Sequence, residues 1–191
     1  MTPQDSVGRG LALIPEERRT QGLVDDESVR KNLTLAALKN KFCVGPSWIN
    51  QEREIGAVKD SINKLGIATP TPEQEVQFLS GGTQQKVVVG KWLMSDSSIY
   101  IFDEPTKGID VGGKYDIYKI IVDLARQGAG ILFISNELME VLSLCDRILV
   151  MFNGQIIKEL RTEETNREEL LFYVMGGRDY AETVNNHKGN H

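Results

Sequence analysis

Leu79 to Asp110 reads LSGGTQQKVVVGKWLMSDSSIYIFDEPTKGID, and the two ends of this stretch carry chemistry a fixed distance apart. At its start, Ser80, Gly81 and Gly82 stand immediately before a helical run. Glycines allow a ligand to approach the backbone closely, and a helix N-terminus offers unpaired N–H groups. With the Ser80 hydroxyl added, the segment reads as a phosphate-binding cap. Farther on, Ile99 to Phe102 is a short apolar run that ends in two carboxylates, Asp103 and Glu104. An apolar strand delivering acids at its C-terminal end is how open α/β sheets build ligand sites. One acid can hold Mg²⁺ through water while the next polarises a water for attack on phosphorus. Taken singly, each piece has an ordinary explanation: Ser-Gly-Gly commonly starts a helix, and Asp-Glu commonly caps a strand. Their combination is what carries information.

Working outward, Thr2 to Gly10 reads as a polar turn leading into a strand at Leu11–Ile14, with Pro15 to Arg19 as a charged loop after it. Ser28 caps a helix running toward Leu38. Gly45-Pro46 breaks the chain. Asn50 to Leu65 then has Ile55, Val58, Ile62 and Leu65 at helical spacing, stopped by Gly66. Thr69-Pro70-Thr71-Pro72 is a stiff connector. Lys114 to Gln127 reads as a helix with Tyr118, Ile121, Val122 and Ala125 inward and Gly128 as its stop. Gly130 to Ile134 is a continuous apolar run suited to a strand buried on both faces. Asn136 is a good N-cap for a helix reaching Leu144. Arg147–Phe152 and Gln155–Leu160 flank Asn153-Gly154, a strong hairpin signal. Asn166 to Glu169 caps a last helix ended by Gly176-Gly177, and residues 178–191 read as a disordered tail.

Composition narrows the class. The 191 residues leave room for one domain with a real core, and 40% hydrophobic with 26% charged residues is ordinary for a globular protein. A net charge of −5 argues against a nucleic-acid or anionic-membrane binder. No apolar run approaches the ~20 residues that span a bilayer, and no stretch reads as a signal peptide. Cys43 and Cys145 are isolated thiols, expected to be reduced and buried. His187 and His191 lie in the polar tail and are poor catalytic candidates.

The order LSGGTQQK, helix, IYIFDEP, TKGID resembles the signature, Walker B and D-loop series of ABC-transporter ATPases, and the resemblance extends from about residue 2 to residue 177. PEERRTQGLV, from Pro15 to Val24, is similar to the PEDRKxxGL stretch in the second ATPase half of monosaccharide importers of the ribose, galactose, xylose and autoinducer-2 type. The resemblance implies an α/β fold over residues 1–177: a partial P-loop NTPase (RecA-like) ABC ATPase domain. Within it, a helical subdomain at about 28–95 docks on the transmembrane subunits. ABC ATPases pair head to tail, so Ser80, Gly81, Gly82 and Gln84 would bind, in trans, the ATP held by the other half. At this half's own site Asp103 would hold Mg²⁺ through water, Glu104 would be the general base, and Asp110 would couple the two sites. Glu16 occupies the place of a glutamine that senses Mg²⁺ and the membrane domain, and Asn136 that of a histidine contacting the γ-phosphate. The implied cofactors are ATP and Mg²⁺. Implied partners are a first ATPase half or other P-loop-bearing chain, transmembrane permease subunits and, indirectly, a periplasmic sugar-binding protein, with no nucleic acid. The implied location is cytoplasmic, peripheral on the inner face of the cell membrane.

No GxxxxGK[ST] occurs; Gly108, Gly112, Gly113 and Lys114 come nearest, at the wrong spacing. Without it there is no backbone cradle or lysine for the β-phosphate, and no P-loop strand beside Ile131–Ile134. The expectation is that Met1 is an internal methionine of a tandem ATPase. A truncated gene and a separate chain completed by a partner are the alternatives. A chain lacking that strand is expected to be unstable or molten alone, with an aggregation-prone sheet edge. With Glu16 and Asn136 both departing from the usual pattern, this half is expected chiefly to complete and gate its partner's site. Two other readings share the motifs: a catalytically inactive ABC fragment, and a lobe of a non-transport ABC protein. Against the second stand a short helix before the signature, the lack of heptads and the lack of a basic stripe.

Overall fold

Three parallel strands organise the first part of the computed structural model, which describes residues 2–44 and 48–177. The Gly45-Pro46 break, the tail at 178–191 and both histidines lie outside the described residues. Two compact units follow one another, the first ending at Ile134 and the second beginning at Ser135.

In the first unit, β1 (Leu11–Ile14) and β4 (Ile99–Asp103) have the expected bounds, and β5 (Gly130–Ile134) completes a sheet in the order β1-β4-β5. Before it, Thr2 to Gly8 is not the polar turn expected but a helix, α1 (Pro3–Gly8), with proline in its first turn. A reciprocal capping box between Thr2 and Asp5 holds its start. Ser28 caps α2 (Val29–Thr34), which is shorter than expected and gives way to a wide turn at Leu38–Phe42. A two-stranded hairpin, β2 (Cys43–Val44) with β3 (Trp48–Ile49), precedes α3 (Gln51–Leu65). Asn50 caps α3, and Gly66 ends it in the left-handed conformation at φ +59°. The signature-type motif opens α4 (Gly81–Leu93), and α5 (Val111–Arg126) joins β4 to β5.

Ala12, Ile14, Tyr100 and Phe102 project from one face of the sheet into a single core. That core continues through Val87, Val88 and Val89 of α4, Ile117, Ile121 and Leu124 of α5, and Val29, Leu33, Val58 and Leu65 of the helical region. The helices of residues 28–95 thus share one core with the sheet. The inward stripe of α5 is Ile117, Ile121 and Leu124: Ile121 is buried as expected, whereas Tyr118 and Val122 are half-buried and Ala125 is exposed. On α3, Val58 and Leu65 are buried as expected, but Ile55 is exposed and Glu54 is buried in its place. Arg30 Nη1 lies 2.8 Å from Glu54, and the Thr34 hydroxyl donates to the same carboxylate at 2.9 Å, so the acid is paired and hydrogen-bonded.

The opposite sheet face is not covered as a parallel sheet's usually is. In register, Leu13, Ile101 and Leu132 lie side by side on it, and Leu13 and Leu132 are 48% and 49% exposed. Ile99 and Ile134 are exposed as well. The expectation that β5 is buried on both faces therefore fails, and among the described residues β5 pairs on one side only.

Close packing between the helices of this unit shows at Gly90. A Cβ there would lie 2.6 Å from Leu33 Cδ2 and 2.9 Å from Leu65 Cδ1, both in the core. Gly90→Ala is accordingly expected to lower stability by about 1–3 kcal/mol through overpacking, read as a fall in denaturant midpoint of the purified protein. An unchanged midpoint would mean that α2 and α3 give way freely.

The second unit contains α6 (Leu138–Leu144), the antiparallel hairpin β6 (Arg147–Phe152) and β7 (Gln155–Arg161), and α7 (Arg167–Val174). Asn153 and Gly154 both have positive φ, +48° and +76°, as a tight hairpin turn requires. Ile148, Val150, Leu160, Leu170 and Tyr173 form its core. Asn166 caps α7 by accepting from the Glu169 N–H at 2.9 Å.

Candidate functional site

Within the first unit, three segments far apart in sequence meet at the N-terminus of α4. Ser80 caps that helix: its hydroxyl accepts from the Thr83 N–H at 3.3 Å and lies 3.0 Å from the Thr83 hydroxyl. Gly81 and Gly82 then present their N–H groups in the first turn, at the positive end of the helix dipole. Arg18 takes the space beside Gly81, whereas Gly82 has its neighbours at ordinary contact distance. A Cβ on Gly81 would stand 2.7 Å from Arg18 Nη2 and 3.4 Å from the Gly108 carbonyl. One on Gly82 would stand 3.5 Å from Ile109 Cγ2 and 3.6 Å from Gly113 Cα.

Gln84 does not join them. It is fully buried, its amide donates to the Val76 carbonyl at 2.9 Å, and its Oε1 accepts from Arg18 Nε at 3.4 Å and Arg19 Nε at 3.5 Å. Its side chain is therefore a strut between loops and is not offered to a ligand.

Asp103 ends β4 half-buried, and Glu104 follows in the left-handed region at φ +44°, an uncommon and strained conformation for a residue with a side chain. Backbone bonds hold it: the Glu104 N–H donates to the Ile134 carbonyl at 3.0 Å, and its own carbonyl accepts from the Lys107 N–H at 3.1 Å. The two carboxylates thus sit at the C-terminal end of the sheet, where α/β folds place ligands. Asp110 caps α5, its carboxylate accepting from the Gly113 N–H at 3.3 Å. The chain from Glu104 to Asp110 therefore runs between the end of β4 and the start of α4.

The loop after β1 closes the group. Glu16 forms an ion pair with Lys107, which raises the Lys107 pKa above its ordinary value. Arg18 Nη1 donates to the Lys107 carbonyl at 3.1 Å. Burial pushes the half-buried Arg18 guanidinium below the usual arginine value, and neighbouring Arg19 adds to the effect. Glu16, Glu17, Arg18, Arg19 and Lys107 line a shallow pocket of about 140 Å³. PEERR reads in the sequence as a solvated charged loop, and neither Arg18 nor Lys107 is legible there as part of a site.

Asn136 belongs to the second unit and is exposed. It is not the cap of α6, as expected. Glu137 holds the cap position, and Ser135 does the bonding: its hydroxyl accepts from the Glu137 N–H at 3.0 Å and lies 2.9 Å from Glu140 Oε2.

A parallel sheet with acids at its C-terminal edge, beside a Ser-Gly-Gly helix start, is the arrangement of an α/β fold of the P-loop NTPase type. The sequence model of the ABC transporter family matches residues 2–107, and the chain belongs to that family. It is 45% identical over 175 residues to the xylose import ATP-binding protein XylG of Moorella thermoacetica, covering 92% of this chain and 34% of that protein. Against the ribose import ATP-binding protein RbsA of Caldanaerobacter subterraneus subsp. tengcongensis it is 44% identical over 176 residues, covering 92% and 35%. The chain thus spans about a third of the length of these curated relatives. Among solved structures, a nucleotide-free ATP-binding cassette from an ABC transporter superposes with a TM-score of 0.71 at 25% identity, over 96% of this chain and 72% of that one. The ADP conformation of another such cassette gives 0.69, also at 25% identity, over 100% and 72%.

Proposed function

We propose that the chain is part of the ATP-binding, ATP-hydrolysing component of an ABC importer that couples hydrolysis to carbohydrate uptake. Residues 1–177 are its working part. Ser80, Gly81 and Gly82 supply the signature that closes on ATP held by a P-loop-bearing half. Asp103 and Glu104 supply the Walker B acids and Asp110 the D-loop. The observation that carries this reading is the meeting of all three segments around the start of α4. The similarity to xylose and ribose import ATP-binding proteins supports it.

The donor chemistry fits Mg²⁺. Asp103 offers a hard oxygen ligand, and among the described residues no cluster of three acids, histidines or cysteines surrounds it. A cation there would keep water and phosphate ligands, as Mg²⁺ prefers. When bound, the cation neutralises phosphate charge; this chain's own part is to orient the carboxylates through the strained Glu104 turn.

The partners in this reading are a P-loop-bearing ATPase half and transmembrane permease subunits, with a periplasmic sugar-binding protein acting through them. Among the described residues no helix is long and apolar enough to cross a membrane. The reading places the protein peripherally on the cytoplasmic face, bound through its permease. It is tested by photolabelling with an azido-ATP. Labelling near Ser80 is expected only when a P-loop-bearing half is present, because this sequence has no GxxxxGK[ST] of its own. Equal labelling of the chain alone would overturn it.

A further inference from the structure

The wide turn Arg18–Gly22 lies along α4 and is fixed to one face of it at three heights. At the N-terminal end Arg18 and Arg19 donate to Gln84 Oε1, at 3.4 and 3.5 Å. One turn on, Gly22 approaches Val88 so closely that a Cβ on it would stand 3.0 Å from Val88 Cγ2. At the far end Lys91 Nζ donates to the Gly22 carbonyl at 2.6 Å, in a site buried enough to lower the lysine pKa. Gln84, Val88 and Lys91 are four and three residues apart, the spacing of one helix face. The seam is therefore continuous along two turns.

Arg18 has a second attachment, in the turn after β4. Its Nη1 reaches the Lys107 carbonyl at 3.1 Å, in the turn between Glu104 and Asp110, while Lys107 reaches back to Glu16 in the same loop as Arg18. The guanidinium thus spans the β1 loop, the α4 start and the turn after β4, and Nη2 occupies the space that Gly81 leaves open. Arginine suits this place because its planar fork directs several N–H groups at once, which a lysine cannot do.

We propose that Arg18 is a positioning residue that locks the first turns of α4, through Gln84, to the turn carrying Lys107, so that the β1 loop, the α4 N-terminus and the D-loop move as one piece. This rests on the ATPase reading for its functional consequence, but not for its structural one. Any shift of the β1 loop is then delivered directly to Ser80 and Gly81, without passing through the sheet.

The test compares Arg18→Ala and Arg18→Lys with the unaltered protein, assembled with its ATPase and permease partners, by amide hydrogen exchange and by ATP turnover. Loss of a part-buried hydrogen-bonding partner predicts about fivefold faster exchange at Thr83 and Gln84, whose N–H groups are bonded to Ser80, in Arg18→Ala. Exchange at Val87 to Gly90 should stay unchanged, and Arg18→Lys should fall between. Turnover should drop in kcat with the KM for ATP altered less than about twofold, the pattern of a lost transition-state contact. Unchanged exchange at Thr83 and Gln84, or a uniform rise along all of α4, would overturn the proposal, the latter by showing a loss of general stability. If the unaltered assembly hydrolyses no ATP, the functional reading fails while the exchange result still decides the role of Arg18.

Discussion

Ser80→Arg is expected to reduce ATP turnover and sugar uptake of the assembled transporter by about 10²-fold or more, the scale of losing a preorganised donor set at a reacting phosphate. Glu104→Gln in the same assembly is expected to cost far less. Three consequences of the serine change act together. The cap that accepts from the Thr83 N–H at 3.3 Å is lost, a cation is placed at the positive end of the α4 dipole, and the new side chain competes with Arg18 for the space over Gly81. In the proposed reading Glu104 serves this half's own site, where Glu16 of the neighbouring loop is paired with Lys107, whereas Ser80 acts on the nucleotide held by the other half, so the serine change carries the larger loss. Phosphate release from proteoliposomes checks both. Intact turnover in Ser80→Arg with abolished turnover in Glu104→Gln would mean that the two sites have been assigned the wrong way round.

The second large effect is on stability. Arg30→Ala is expected to lower it by about 3–5 kcal/mol, the cost of leaving a buried charge without its partner. Glu54 is 2% exposed and sits in the hydrophobic seam of α3, where its remaining contact would be the Thr34 hydroxyl at 2.9 Å. The exposed Arg30–Glu73 bond at 2.7 Å, which holds Glu73 below the usual carboxylate range, should matter little in comparison. Replacing both Arg30 and Glu54 by methionine should recover most of the loss, because a matched apolar pair needs no desolvation of charge. Denaturant titration of the single and double variants decides it. A loss below about 1 kcal/mol for Arg30→Ala would show that water reaches Glu54.

Where local chemistry decides structure, the sequence is legible. β1 and β4 are bounded by turn residues, α3 has Asn50 and Gly66 at its ends, and the β6–β7 turn has Asn153-Gly154. All four follow from single-residue preferences. The failures have a different origin. Ile55 and Glu54 exchange places because Arg30, twenty-four residues upstream, makes burial of an acid tolerable, and periodicity along α3 carries no trace of that pairing. On α5, Ile121 is placed correctly by periodicity, while the choice of Ile117 and Leu124 over Tyr118 and Ala125 is made by what the helix packs against. For α1, the capping box of Thr2 and Asp5 is in the sequence and outweighs the polar composition that suggests a turn. The same holds at the candidate site. Ser80, Gly81, Gly82, Asp103 and Asp110 are legible from motif order, whereas the inward turn of Gln84 and the reach of Arg18 depend on contacts 66 and 89 residues apart in sequence.

The uncovered sheet face bears on how much of this protein a cell can hold. Leu13, Ile99, Leu132 and Ile134 together make the kind of apolar surface that chaperones retain and proteases clear. Whatever packs on that face, whether more of the same polypeptide or another chain, therefore also shields the protein from removal.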